Sequence, residues 1–268
     1  MIARSDTGTV RHLIGAGACL ALAVACRPTT GIFAIVLTAY AARHHTRHLL
    51  AFLSVPAVVG ALLVAYNLYY FDSLVGGYAG PFVATYDVSA SQMTVGMYGL
   101  LLSANRGLLS MSPVLLLPFV ALLRALWRRH DPLEVHLAVG ILATILFYST
   151  YTIWYGAFSF SYRFLVEIVP LLMLFVAPAI EWVRRSRRRL VLTGALALYS
   201  VGIQVVGAYF YPCGWYRSPL ADPSALARMF DWRDLEVAQC LRAGPVYPDG
   251  LRLFRRGTNP PTERPDGE

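Results

Sequence analysis

The chain has 268 residues, 57% of them hydrophobic and only 14% charged, with a mean hydropathy of +0.53. Soluble domains are roughly 45–50% apolar and about 25% charged, so this composition excludes an ordinary soluble fold and indicates a polytopic membrane protein. The net charge of +8 is carried by arginine alone, with no lysine, and much of it lies in short loops. Membrane orientation and anionic lipid account for charge placed there, which excludes nucleic acid as its cause.

Apolar segments follow one another at about residues 12–26, 30–42, 49–71, 108–127, 134–153, 163–183 and 189–211. The expected fold is therefore all-α, a polytopic transmembrane helix bundle of about seven hydrophobic segments. A helix needs about 20 apolar residues to cross a 30 Å hydrocarbon core, and the last five segments meet that length. The first two are short and are separated by Arg27-Pro28. Because proline lacks a backbone donor and breaks or kinks helices, they form either a hairpin or one kinked span. Arginines at both outer ends (Arg4 and Arg11, then Arg43 and Arg47) favour the hairpin. A non-helical corner at membrane depth must face protein or water, which implies a cavity at Arg27. A leader peptide or lipoprotein signal ending at Cys26 fits less well, with Ala23 in the usual Leu position and Arg27-Pro28 following.

Orientation comes from the loops. Residues 43–48 (RHHTRH), 124–130 (RALWRRH) and 184–189 (RRSRRR) are strongly basic and alternate with 72–107, 154–163 and the C-terminal tail. By the positive-inside rule the N-terminus is cytoplasmic and the tail extracytoplasmic, in a multi-pass integral membrane protein. His44, His45 and His48 include an i,i+4 pair of the kind that binds zinc. No carboxylate or cysteine accompanies them, and headgroup contact suits a basic loop better.

The loop 72–107 is long and rich in Gly, Ser and Tyr, the profile of a functional rather than a disordered loop. Beyond the membrane domain of residues 1–211, residues 212–256 form a helical extracytoplasmic tail and 257–268 a disordered end. Two short helices are expected over 222–243, opened by Asp222-Pro223 and closed by Gly244. Cys19 and Cys26 suit an apolar helix, whereas Cys213 and Cys240 lie in the tail. An oxidising compartment would let the latter pair, although spacing alone does not show that the sulfurs meet.

This topology leaves Arg27, Arg106 and Arg163 on the outer side, each beside Pro, Gly or aromatic residues. An arginine costs about 2.5–3.5 kcal/mol at a helix centre, so near hydrocarbon it has an anionic partner or a wet cavity. Three stretches repeat the combination: 66–80 (YNLYYFDSLVGGYAG), 98–116 (YGLLLSANRGLLSMSPVLL) and 154–170 (WYGAFSFSYRFLVEIVP). Gly permits close backbone approach, and the Arg fork matches phosphate. The plainer readings are an aromatic interfacial belt, arginines snorkelling to headgroups, and an Arg163–Glu167 ion pair at i,i+4.

These stretches resemble the later part of the polytopic GT-C-type glycosyltransferases, the protein-mannosyltransferase-like and lipid-A-sugar-transferase-like membrane enzymes. The resemblance rests on Arg27-Pro28-Thr29, then Tyr66-Asn67, Phe71-Asp72-Ser73 and Gly77-Tyr78. It continues through Gly99-Leu100-Leu101, Arg106-Gly107-Leu108 and Ser112-Pro113, and ends with Trp154, Gly156, Phe158, Phe160, Arg163-Phe164-Leu165 and Pro170. It covers roughly residues 12–243, and the order of the motifs is more specific than any one of them. Asp72 stands where Gly is common, Ala104-Asn105 replaces a Ser-Pro-like step, and Ser161-Tyr162 replaces Gly-Pro.

The resemblance implies transfer of a sugar from a polyprenyl-phosphate-type carrier to an extracytoplasmic acceptor. Arg27, Arg106 and Arg163 would hold the carrier phosphate, and Tyr66, Asn67, Tyr78 and Trp154 would line the sugar or lipid cavity. The partners are then the bilayer and a lipid-linked sugar donor. No cofactor is evident, and a divalent metal stays open. Such enzymes carry an acidic loop after their first helix that supplies the base, and this sequence shows none. A shortened protein, or one half of a pair whose partner supplies the N-terminal part, is therefore expected. The catalytic residue is unknown, with Asp72 and Asp87 as weak substitutes for the base. The alternatives are a non-catalytic carrier-binding subunit or remnant, and a small transporter or flippase, whose ionisable sites would lie nearer the midplane.

Overall fold

The computed structural model describes residues 2–74, 76, 85–128, 131–156, 159–215 and 223–246. Among these residues the fold is all-α, and the only strand-like feature is an isolated antiparallel bridge between Tyr86 and Tyr151. Helices α1 (Ile2–Cys26), α2 (Gly31–His44) and α3 (Leu49–Phe71) are followed by α4 (Ala90–Leu102), α5 (Leu108–Met111), α6 (Leu116–Arg128) and α7 (Pro132–Ser149). Short α8 (Val169–Met173) and α9 (Val176–Arg184) lead into the long α10 (Arg187–Phe210), and α11 (Pro223–Phe230) and α12 (Glu236–Ala243) form the tail.

Four stretches are long and apolar enough to cross a membrane: Thr9–Cys26, Thr46–Phe71, Pro132–Ser149 and Arg187–Phe210. These coincide with four of the seven expected segments. The others are not continuous long helices. The segment at 108–127 is divided into α5, a 3-10 turn at Pro113–Leu115 and α6, because Pro113 cannot donate to the turn before it. The segment at 163–183 begins as a 3-10 helix, Arg163–Ile168, and Pro170 sits in the first turn of the α-helix that follows. The segment at 30–42 is α2, with 14 residues. Much of the apolar surface of α3 and α10 faces outward, including Leu50, Leu62, Leu192 and Leu198. Burial against protein therefore does not explain their hydrophobicity, whereas a lipid surround does.

The chain reverses at Arg27. Gly17 of α1 lies against Phe52 and Pro56 of α3, just beyond the far end of α2. A single continuous span through α1 and α2 would hold those groups roughly 40 Å apart.

Helix α7 is the centre of the bundle, with 44% of its span buried against 6% for α3. Asp131 caps it by accepting from the Leu133 N–H at 2.8 Å, and Pro132 occupies its first turn. Helix α2 runs antiparallel along it: Tyr148 meets Thr29, Gly140 meets Phe33, and His136 meets Tyr40 and His44. Helix α4 packs on its other side through Gly96, whose backbone rests on Ser149, and through Gln92, which donates to the Tyr151 carbonyl at 3.0 Å.

Helix α4 corrects the reading of 72–107 as one long loop. Its Gly96 and Gly99 form a packing face, and Ser89 caps it by accepting from the Gln92 N–H at 3.3 Å. The tail helices fall where expected, and Gly244 closes α12 at φ 86. The Asp222 cap, Tyr78, Gly77, Phe158 and the end at 257–268 lie outside the described residues.

Candidate functional site

Arg27 occupies the corner between α1 and the 3-10 turn Pro28–Thr30, in extended conformation (φ −145°, ψ 107°). Proline starts the turn, which frees the arginine side chain to leave the helix axis. Its Nε lies 3.4 Å from Glu167 Oε2, and the arginine side chain is 37% exposed where that of the glutamate is 5%. Thr29 Oγ1 donates toward the same carboxylate at 3.1 and 3.2 Å and accepts from the Tyr148 hydroxyl at 2.9 Å. The Tyr148 ring stacks on Phe164 with centroids 5.0 Å apart. A polar chain therefore joins the Arg27 corner, the end of α7 and the 3-10 helix Arg163–Ile168.

Glu167 does not pair with Arg163, which corrects the i,i+4 expectation. That segment is a 3-10 helix with three residues per turn, so position i+4 no longer stacks over i, and Glu167 turns to Arg27. Arg163 itself is exposed at the first position of this helix. Among the described residues no carboxylate lies within ion-pair distance of it. Among the described residues its fork is thus exposed and unclaimed, available to an anion.

Arg106 is placed differently. It is 1% exposed, and its guanidinium is spent on protein groups: Nε donates to the Tyr155 carbonyl at 3.0 Å, Nη1 to the Asn105 carbonyl at 2.8 Å, and both Nη atoms to Glu236. This corrects its assignment as an accessible phosphate ligand. The neighbouring Asn105 completes the clamp, donating to the carbonyls of Arg228 and Asp234 at 3.0 and 3.1 Å and accepting from the Glu236 N–H at 2.8 Å. Arg228 stacks 4.5 Å from the Trp215 ring and donates to Asp234 at 2.7 Å, and Trp215 Nε1 donates to Asp234 at 2.9 Å. Cys213 and Cys240 are joined as a disulfide with Cα atoms 4.8 Å apart.

Burial pushes the Glu236 carboxyl above its ordinary value, opposed by the Arg106 charge. For Asp234 burial pulls the same way, but hydrogen bonds from Arg228 and Trp215 outweigh it and hold that carboxyl below its ordinary range.

Trp154 is 2% exposed, its indole enclosed by Gly99, Tyr155 and Phe230, so it belongs to the core rather than to a cavity wall. Tyr66 is 54% exposed in an aromatic group with Tyr70 and Phe71 at the end of α3. Asn67 donates to the Leu74 carbonyl at 3.1 Å and so fixes the turn that ends the helix. Asp72, exposed, is the left-handed cap of α3 (φ 48). Asp87 is exposed too, but its N–H donates to the Thr150 carbonyl at 2.8 Å. The adjoining Tyr151 ring lies 5.3 Å from Phe164. Asp87 is thus carried to the Arg163 end of the bundle.

Asp72 and Ser161 are the non-glycine residues with positive φ among the described residues, at 48 and 57. Ser161 is also buried, with an unpartnered hydroxyl. Replacing it by glycine relieves the left-handed strain and removes an unsatisfied group. Ser161→Gly is expected to raise stability by about 1 kcal/mol, read as a higher unfolding midpoint in detergent; a lower midpoint would contradict this account.

Sequence reasoning missed Glu236, Asn105 and Tyr148. No local spacing links Asn105-Arg106 to a tail residue so far along the chain, and Tyr148 reads as one more interfacial aromatic. His44 and His45 pack with Tyr40, which also contacts His136, and among the described residues no group of three or more His, Cys, Asp or Glu could hold a metal. No protein-family model, curated protein or solved structure matches the chain.

Proposed function

We propose that the chain is a GT-C-type membrane glycosyltransferase that binds and acts on a sugar linked to a polyprenyl phosphate. The observation that carries this reading is the meeting of the Arg27 corner with the 3-10 helix that begins at Arg163. Along that helix Arg163 precedes Glu167 by about 8 Å of backbone rise, so the two arginines belong to the same end of the bundle. A phosphate set there receives two charge-assisted contacts, and Tyr148 and Thr29 supply a hydroxyl relay beside it. The left-handed Asp72 and Ser161 support the family likeness, because their backbone asks for the glycine that the pattern contains. Arg106 acts as a positioning residue that holds the tail over this end. The proposed topology has seven apolar segments, with the shorter ones crossing as broken helices, and an extracytoplasmic tail. The basic loops and the tail disulfide support that orientation.

A non-catalytic carrier-binding subunit is the second reading. It is favoured by the engagement of Glu167 with Arg27 and Thr29, which leaves the cluster's own carboxylate unsuited to act as a base. Asp87 is then the better-placed base candidate in the catalytic reading. The test is retention of radiolabelled polyprenyl phosphate by the full chain in phosphatidylcholine nanodiscs. Arg27→Gln and Arg163→Gln should each lower retention about tenfold, one charge-assisted contact being worth roughly 1.5–3 kcal/mol. Wild-type retention in both variants rejects the site. Carrier retention by wild-type protein without sugar transfer, under conditions where the assembled system transfers sugar, selects the second reading.

A further inference from the structure

Helices α6 and α9 enclose a groove of about 580 Å³ on the basic-loop side of the bundle. Its walls are apolar, formed by Leu117, Val120, Ala121, Phe175 and Ala179, and its mouth carries Arg124, Arg128 and Arg185 with Glu134 and Glu181. That volume lies within the 300–1,000 Å³ typical of ligand sites. Among the described residues none of these five charged groups forms an ion pair. The arginines exceed the carboxylates by one, so the mouth keeps a positive charge that one phosphodiester would balance. Trp182, also at the mouth, takes the Arg189 guanidinium 4.2 Å from its ring centroid, an arrangement suited to the headgroup level.

We propose that this groove binds one anionic glycerophospholipid. An acyl chain lies along the apolar wall, the phosphodiester sits between the arginines, and headgroup hydroxyls donate to the glutamates. A basic mouth above an apolar cleft between membrane helices matches both halves of such a molecule. The site is separate from the proposed carrier site: about 20 Å of α7 separates Glu134 from Tyr148. Neither reading depends on the other.

The test is native mass spectrometry of the full chain in detergent, titrated with dioleoyl-phosphatidylglycerol, dioleoyl-phosphatidylcholine or glycerol 3-phosphate. One phosphatidylglycerol should bind per chain, at least about tenfold more tightly than phosphatidylcholine, since each arginine near a headgroup adds an appreciable increment. The triple variant Arg124→Gln/Arg128→Gln/Arg185→Gln should lose about tenfold or more. Ala121→Trp, which fills the cleft and leaves every charge in place, should lose as much. Arg187→Gln/Arg188→Gln, which removes charge from the same loop outside the groove, should bind as wild type. Three results each overturn the proposal: equal binding of the two lipids by wild-type protein, equal losses in the two sets of arginine variants, or glycerol 3-phosphate competing as well as the whole lipid. The first and last need no variant, so misfolding cannot shelter the idea.

Discussion

Glu236→Ala is expected to lower stability by about 3–5 kcal/mol and to release the tail from the helical body, because it strands a buried positive charge. Arg106 is 1% exposed, so without Glu236 its guanidinium charge would have neither a carboxylate nor bulk water to balance it. Its remaining bonds, to the Tyr155 and Asn105 carbonyls, supply partial charges only. The disulfide does not compensate: it anchors Cys240 to Cys213, just past the end of α10, but brings no negative charge to Arg106. Replacing both partners, as in Arg106→Met/Glu236→Met, removes the charge and the partner together and should cost far less than the single change. The comparison is read as unfolding midpoints in detergent and as protease sensitivity of residues 223–246. A single variant as stable as wild type would mean that the pair does not hold the tail.

Gly96→Val should be nearly as damaging, by about 2–3 kcal/mol, for a steric reason. A Cβ at this position would overlap the Ser149 carbonyl, which is main chain and cannot rotate aside. Helix α4 would have to lift from α7, stretching the bond from Gln92 to the Tyr151 carbonyl. Close approach through a glycine lets the two backbones pack directly on each other, which any side chain at this position would prevent. Gly60 provides the control: it lies on α3 with open space around it, and Gly60→Val should leave the midpoint unchanged. Equal effects from the two substitutions would show that glycine itself, rather than the contact, sets the response.

The features legible in the sequence were those encoded locally. A run such as 49–71 needs only its own apolar length to be read as a helix, and it is one from Leu49 to Phe71. Gly244 marked the end of the tail helix because a left-handed cap prefers glycine. Helix α4 was hidden by its composition, although Ser89 followed by Gln92 carried a capping signal. Its glycines read as loop until Ser149 at the end of α7 and the Trp154 indole supplied surfaces for Gly96 and Gly99 to pack on. Prolines at 113 and 170 were visible, yet their effect on helix continuity depended on neighbours that accept a 3-10 turn.

The candidate site divides in the same way. The sequence marked Arg27, Arg106 and Arg163 as unusual, and it did so from membrane energetics alone. It could not say which of them would be spent inside the protein. Arg106 meets Glu236 across 130 positions, and Arg27 meets Glu167 only because the Arg163–Ile168 helix is wound as 3-10 rather than α. The long apolar runs, the loop charge and the helix caps are properties of neighbours along the chain, so the sequence by itself determined them. The partner of each guanidinium is a property of neighbours in space, and only the packing of α7, the corner and the tail against one another decided it.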